Sequence, residues 1–140
     1  MSAQKNINSF SASVQNQMRM QLIEEIQASL DKINGHLQAA REKEAQLTER
    51  LEKDRQMLKE SRQLSKDMDA LKTEMGREAF KDEGLYLEQF MLEMDGMKIC
   101  VFVVDTMKEI ADNENILIEG ERLKRRNEAL LQKLTRVTQF

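Results

Sequence analysis

Apolar residues recur along the first half of the chain at alternating three- and four-residue intervals. Ile26, Leu30, Ile33, Leu37 and Ala40 begin the series, and Leu47, Leu51 and Leu58 continue it past Glu44 and Asp54. This is a heptad with apolar a and d positions, and it predicts a long helix with one apolar stripe. Near Met57–Ser61 the stripe hops to a new phase carried by Leu64, Met68, Leu71 and Met75. A three-residue offset of this kind locally overwinds a coiled coil. Charges at helical spacing fill the gaps, such as Glu49 with Lys53, and no proline forces a break. The expected organisation is a flexible lead-in over 1–12, with Ile7 and Phe10 as its apolar residues, and a long coiled-coil helix over 13–83.

Length makes the stripe a statement about partners. A helix of 60 to 70 residues spans roughly 90–105 Å at 1.5 Å per residue. The rest of the chain, about 65 residues, would cover at most half of that seam by folding back. A leucine and isoleucine face does not stay bare in water. The expectation is therefore an elongated oligomer in which a copy or a different protein completes the seam, against the alternative of a single-chain helical bundle.

The segment 84–105 supports two readings. As a helix, Leu87, Phe90, Met94, Met97, Val101 and Val104 form a heptad stripe. As a β-hairpin, Leu85–Met94 and Met97–Val104 flank Asp95-Gly96, the pair favoured in a two-residue type I′ turn. Pairing across that turn sets Met94 against Met97, Leu92 against Ile99 and Phe90 against Val101, and opposes Glu93 with Lys98. One face is then apolar and the opposite charges meet on the other. Ile99–Val104 is also a poor helix former and a good strand former. Gly84 would end the first helix and Thr106-x-x-Glu109 would cap the next. The hairpin over about 85–104 is the expected form. Its apolar face, Phe90, Leu92, Met94, Met97, Ile99, Val101 and Val103, is the candidate partner-docking surface, because a two-stranded hairpin must pack on something.

A C-terminal helix is expected over 106–140, interrupted at Asp112-Asn113-Glu114-Asn115. Leu123, Asn127, Leu130, Leu134 and Val137 keep heptad spacing in its second half, and an asparagine on such a seam can fix register. Together with Ile26, Leu30, Ile33, Leu37, Leu47, Leu51, Leu58, Leu64, Met68 and Leu71, the residues Leu123, Asn127, Leu130 and Leu134 make up the expected oligomerisation seam. The fold class is mainly α: an elongated coiled coil of a long N-terminal and a shorter C-terminal helix, joined by the short hairpin.

Composition narrows the function. Charged residues make up 34% of the 140 and aromatics 4%, with one histidine, one cysteine and ten methionines. That is the bias of long helices, with soft methionines suited to adaptable contacts. No phosphate-binding glycine loop, catalytic set or metal-ligand cluster stands in the sequence, so no enzyme activity, metal or cofactor is expected. Residues 1–75 carry twelve basic and twelve acidic side chains, Glu78–Glu121 has twelve acids against three lysines, and Arg122 onward has six bases against Glu128. Such blocks favour an antiparallel or end-to-end protein partner over nucleic acid. The absence of a signal-like or spanning apolar run points to an intracellular, soluble chain in cytoplasm or nucleus, without a membrane partner. The expected function is a non-enzymatic structural or adaptor subunit, binding protein partners as a homo- or hetero-oligomer. The helix–hairpin–helix layout of about residues 45–140 resembles that of prefoldin-type subunits, which implies a holdase chaperone as the alternative. A second alternative is an anionic surface, lipid or nucleic acid, bound through the basic C-terminal segment.

Overall fold

The computed structural model describes the backbone of residues 2–138 and the side chains of residues 12–136. Over that range the chain forms three α-helices, α1 (Ser2–Met75), α2 (Arg77–Asp82) and α3 (Leu85–Thr138). The side chains of Ile7, Phe10 and Val137 lie outside the described residues. No helix among the described residues is long and apolar enough to cross a membrane.

Two glycines punctuate the chain. Gly76 at φ 86° and Gly84 at φ 70° adopt the left-handed backbone that residues with a Cβ rarely take. Gly76 donates its N–H to the Lys72 carbonyl and Gly84 donates to the Lys81 carbonyl, both at 3.0 Å, which closes α1 and α2 respectively. The first long helix therefore stops at Met75, before the expected boundary at 83, and Gly84 ends the short α2 instead. Phe80 of α2 is fully buried and meets Tyr86 edge-on, with ring centroids 4.9 Å apart. The Lys72 ammonium stands 5.5 Å from the Tyr86 ring. This aromatic plug holds the turn between the long helices.

The contacts divide the chain into two units, Met1–Glu42 with Asn115–Phe140, and Lys43–Glu114. In each, a stretch of α1 packs against an antiparallel stretch of α3. The first holds an Asn127 Nδ2–H donated to Ser29 Oγ at 3.2 Å and the Arg41–Glu121 ion pair. In the second, Arg50 pairs with Glu109 at 2.9 Å, and Gln89 donates to Asp69 Oδ1 at 2.6 Å.

The positions of α1 turned toward α3 keep one heptad register. Ile26, Ile33, Leu37, Ala40, Leu47 and Leu58 are buried, with Leu30 and Leu51 half-buried among them. Beyond Leu58 the register runs on through half-buried Ser61, Ser65, Met68, Lys72 and Met75. The expected phase hop is absent. Nothing interrupts the α1 backbone, so its phase persists, and Leu64 and Leu71 are left 53% and 38% exposed on the flank. The small serines occupy seam positions where the helices come close: a Cβ at Gly96 would lie 3.1 Å from Ser61 Oγ.

Segment 84–105 is helical throughout, and no strand occurs among the described residues. Asp95-Gly96 sits mid-helix in α3, with Gly96 against Ser61. Strand propensity is worth only on the order of 1 kcal/mol per site and yields readily to tertiary context. Here the context is α1, against which residues 85–134 of α3 keep a continuous three–four register of buried or half-buried positions. Thr106 opens no helix: it lies inside this register at 2% exposure, and Glu109 reaches across to Arg50. The run Asp112–Asn115 does not interrupt it either, and Asn113 is 1% exposed. The likeness in layout to prefoldin-type subunits rested on the hairpin and loses its footing with it. The premise that one chain cannot cover the α1 stripe is also overturned, because in each unit the described residues of α3 pack along the stretch of α1 that belongs to it.

Candidate interaction surface

In the Lys43–Glu114 unit, α3 carries two heptad-spaced faces of unlike chemistry. The inward face, toward α1, reads Gln89, Leu92, Gly96, Ile99, Val103, Thr106, Ile110 and Asn113. Half of it is polar or glycine. At 100° per residue, Leu87, Phe90, Met94, Met97, Val101 and Val104 point the opposite way. These six side chains are 63, 59, 40, 64, 58 and 45% exposed, in a row that none of the described residues covers.

More apolar surface flanks the row. Met91, Phe102 and Met107 are about half exposed, and Arg55 Nη2 lies 3.8 Å from the Met107 sulfur. The Arg50–Glu109 pair sets the register on one edge of the unit. Seven residues along each helix from that pair stand Met57 and Phe102, both exposed, so that edge is apolar as well. Between α1 and α3 a shallow groove of about 340 Å³ opens where Ser61, Ser65 and Gly96 leave room beside Leu58, Leu92, Met97 and Cys100. Cys100 is half-buried in its wall, a free thiol.

The candidate docking residues divide between the two faces. Phe90, Met94, Met97 and Val101 are exposed, whereas Leu92 and Ile99 are half-buried and Val103 is buried toward α1. A strand, with period two, would put all seven on one side. A helix, with period 3.6, separates them. The seam residues divide likewise. Ile26, Ile33, Leu37, Leu47 and Leu58 are buried within the chain, and Leu30, Leu51, Met68, Asn127 and Leu134 are half-buried there. Leu64 and Leu71 are exposed on the flank of α1, and Leu123 and Leu130 are exposed because the α3 register runs through Lys124, Asn127, Leu131 and Leu134.

Two structural positions escape the heptad reading. Phe80 lies in a short helix without periodic neighbours, and only its bracketing glycines, Gly76 and Gly84, signal the turn it fills. Gly120 lies where a Cβ would come 2.5 Å from Leu37 Cδ2, a close approach visible only once α3 is docked.

No protein family, curated protein or solved structure matches the chain.

Proposed function

We propose that this chain is a non-enzymatic coiled-coil adaptor or structural subunit, which joins a larger assembly by covering the outward stripe of α3 with another helix. The observation that carries this reading is the exposed row Leu87–Val104. Apolar side chains at strict three–four spacing are what an incoming helix needs in order to pack knobs into holes. Contiguous bare patches of this kind on soluble chains mark interaction sites. Methionines at three of the positions in and beside the row, Met91, Met94 and Met97, suit a surface that adapts to its partner.

Site-specific photo-crosslinking in cells tests the proposal. A photoreactive residue at Phe90 or Val101 is expected to trap protein, and one at Glu49, on an exposed polar stretch of α1, is expected to trap none. Equal trapping at all three positions, or none at Phe90 and Val101, overturns it.

A further inference from the structure

We infer that the occupant of the outward stripe is a second copy of this chain, its α3 lying antiparallel across the first. This rests on the interaction reading above and names its partner. Two-fold symmetric pairing demands a surface that complements itself, and the stripe does so about an axis between Asp95 and Gly96. An antiparallel pair sets Leu87 against Val104, Phe90 against Val101 and Met94 against Met97, each twice. Every layer then joins a longer side chain to a shorter one or two flexible methionines, which fills space without overpacking.

Charge selects the same orientation. Lys108 stands four residues past the end of the row at Val104, and the last residue of α2 and the turn after it, Asp82 and Glu83, are exposed acids. In the antiparallel pair each Lys108 arrives beside the other copy's Asp82–Glu83. In a parallel pair it would meet the other Lys108. The surface is also large enough to matter. Six half-exposed side chains present on the order of 500 Å² of apolar area, at the upper end of what a monomer leaves bare. With Met91, Phe102 and Met107 beside them, the patch approaches the roughly 800 Å² per partner of a standard interface. Two like-charge contacts remain. Lys98 and Glu93 lie on opposite edges of the stripe near the axis, so the two copies bring their lysines together on one side and their glutamates together on the other.

Light scattering of the eluted full chain reads the outcome. The wild-type chain is expected at twice its 16.3 kDa at micromolar concentration. Phe90→Ser with Val101→Ser is expected to weaken self-association about tenfold or more while helix content by circular dichroism is unchanged, since both side chains are exposed. A charge swap tests orientation: Lys108→Glu alone and Asp82→Lys with Glu83→Lys alone each weaken pairing, and an equimolar mixture of the two restores it as a mixed dimer. Lys98→Met tightens it. A wild-type chain that stays monomeric overturns the second-copy inference, and photo-crosslinks from Phe90 to a different protein would then leave the adaptor reading standing. A dimer indifferent to Phe90→Ser with Val101→Ser overturns it too. Loss of pairing in both charge variants without rescue in the mixture overturns the antiparallel arrangement.

Discussion

The inward and outward faces of α3 invert the usual distribution of apolar residues. Over residues 85–114 the face buried against α1 includes Gln89, Gly96, Thr106 and Asn113, whereas the face in water carries leucine, phenylalanine, valine and methionine. The inward face works because its polar groups are paired and its small ones allow close approach. Gln89 donates to Asp69, and Gly96 sits against Ser61. A buried polar side chain with a partner specifies register at little cost, while an unpaired one is expensive. Burial within the chain therefore follows from phase along the helix, and a full heptad row of apolar residues on α3 is left exposed.

Neighbouring residues test that contrast most sharply. Val103 is buried and Val104 is exposed. Val103→Asp places an unpaired charge in the seam and is expected to cost several kcal/mol, enough to abolish cooperative thermal unfolding. Val104→Asp leaves the unfolding free energy of the dissociated chain within about 0.5 kcal/mol of wild type, as surface changes do. Its melting curve in dilute solution is therefore unchanged, and only the added stability that pairing gives at higher concentration is lost. Similar melting behaviour in the two variants would show that the faces are not distinct.

The second comparison sets Leu58, 9% exposed, against Leu64, 53% exposed. Leu58→Ala is expected to lower the urea midpoint by an amount equivalent to about 2–5 kcal/mol, and Leu64→Ala to change it by less than about 1 kcal/mol. A larger effect at Leu64 would restore the phase hop and sink the continuous register.

Two glycines come next. Gly120→Ala drives a methyl into Leu37, a buried side chain that must shift to admit it, and is expected to destabilise by about 1–3 kcal/mol. Gly35→Ala, with nothing within 4 Å, is expected to stabilise by about 1 kcal/mol through helix propensity. The smallest effect belongs to Arg50→Ala. It removes a solvent-exposed pair with Glu109 and is worth about 0.2–1 kcal/mol in the same denaturation assay, shrinking as salt rises.

The α1 register was legible from Ile26 to Leu58 because large aliphatic residues mark nearly every turn there. It faded where serines took the seam and Leu64 and Leu71 moved to the flank, since hydrophobicity alone cannot tell a small seam residue from a surface one. The α3 register was harder still: glutamine, glycine, threonine and asparagine hold inward positions, and the apolar stripe that does stand out lies on the far side. Ile99–Val104, beside an Asp-Gly pair, read as a strand because β-branched residues favour one locally, and only the long-range packing of α1 decides otherwise. The outward row itself was visible as a heptad from Leu87 to Val104, and its exposure required knowing which face α1 occupies.

The tight bend between Gly76 and Gly84 has a consequence for how the molecule assembles. Loop-closure entropy grows with the length of chain that must be gathered, about 0.6 kcal/mol for each doubling. Asp69 and Gln89 are 20 residues apart, Arg50 and Glu109 are 59 apart, and Asn127 and Ser29 are 98 apart. The first pair closes most cheaply, and each pair formed shortens the loop left for the next. Folding is thus expected to proceed as a zipper started at the Phe80 turn, with the most distant partners joining last.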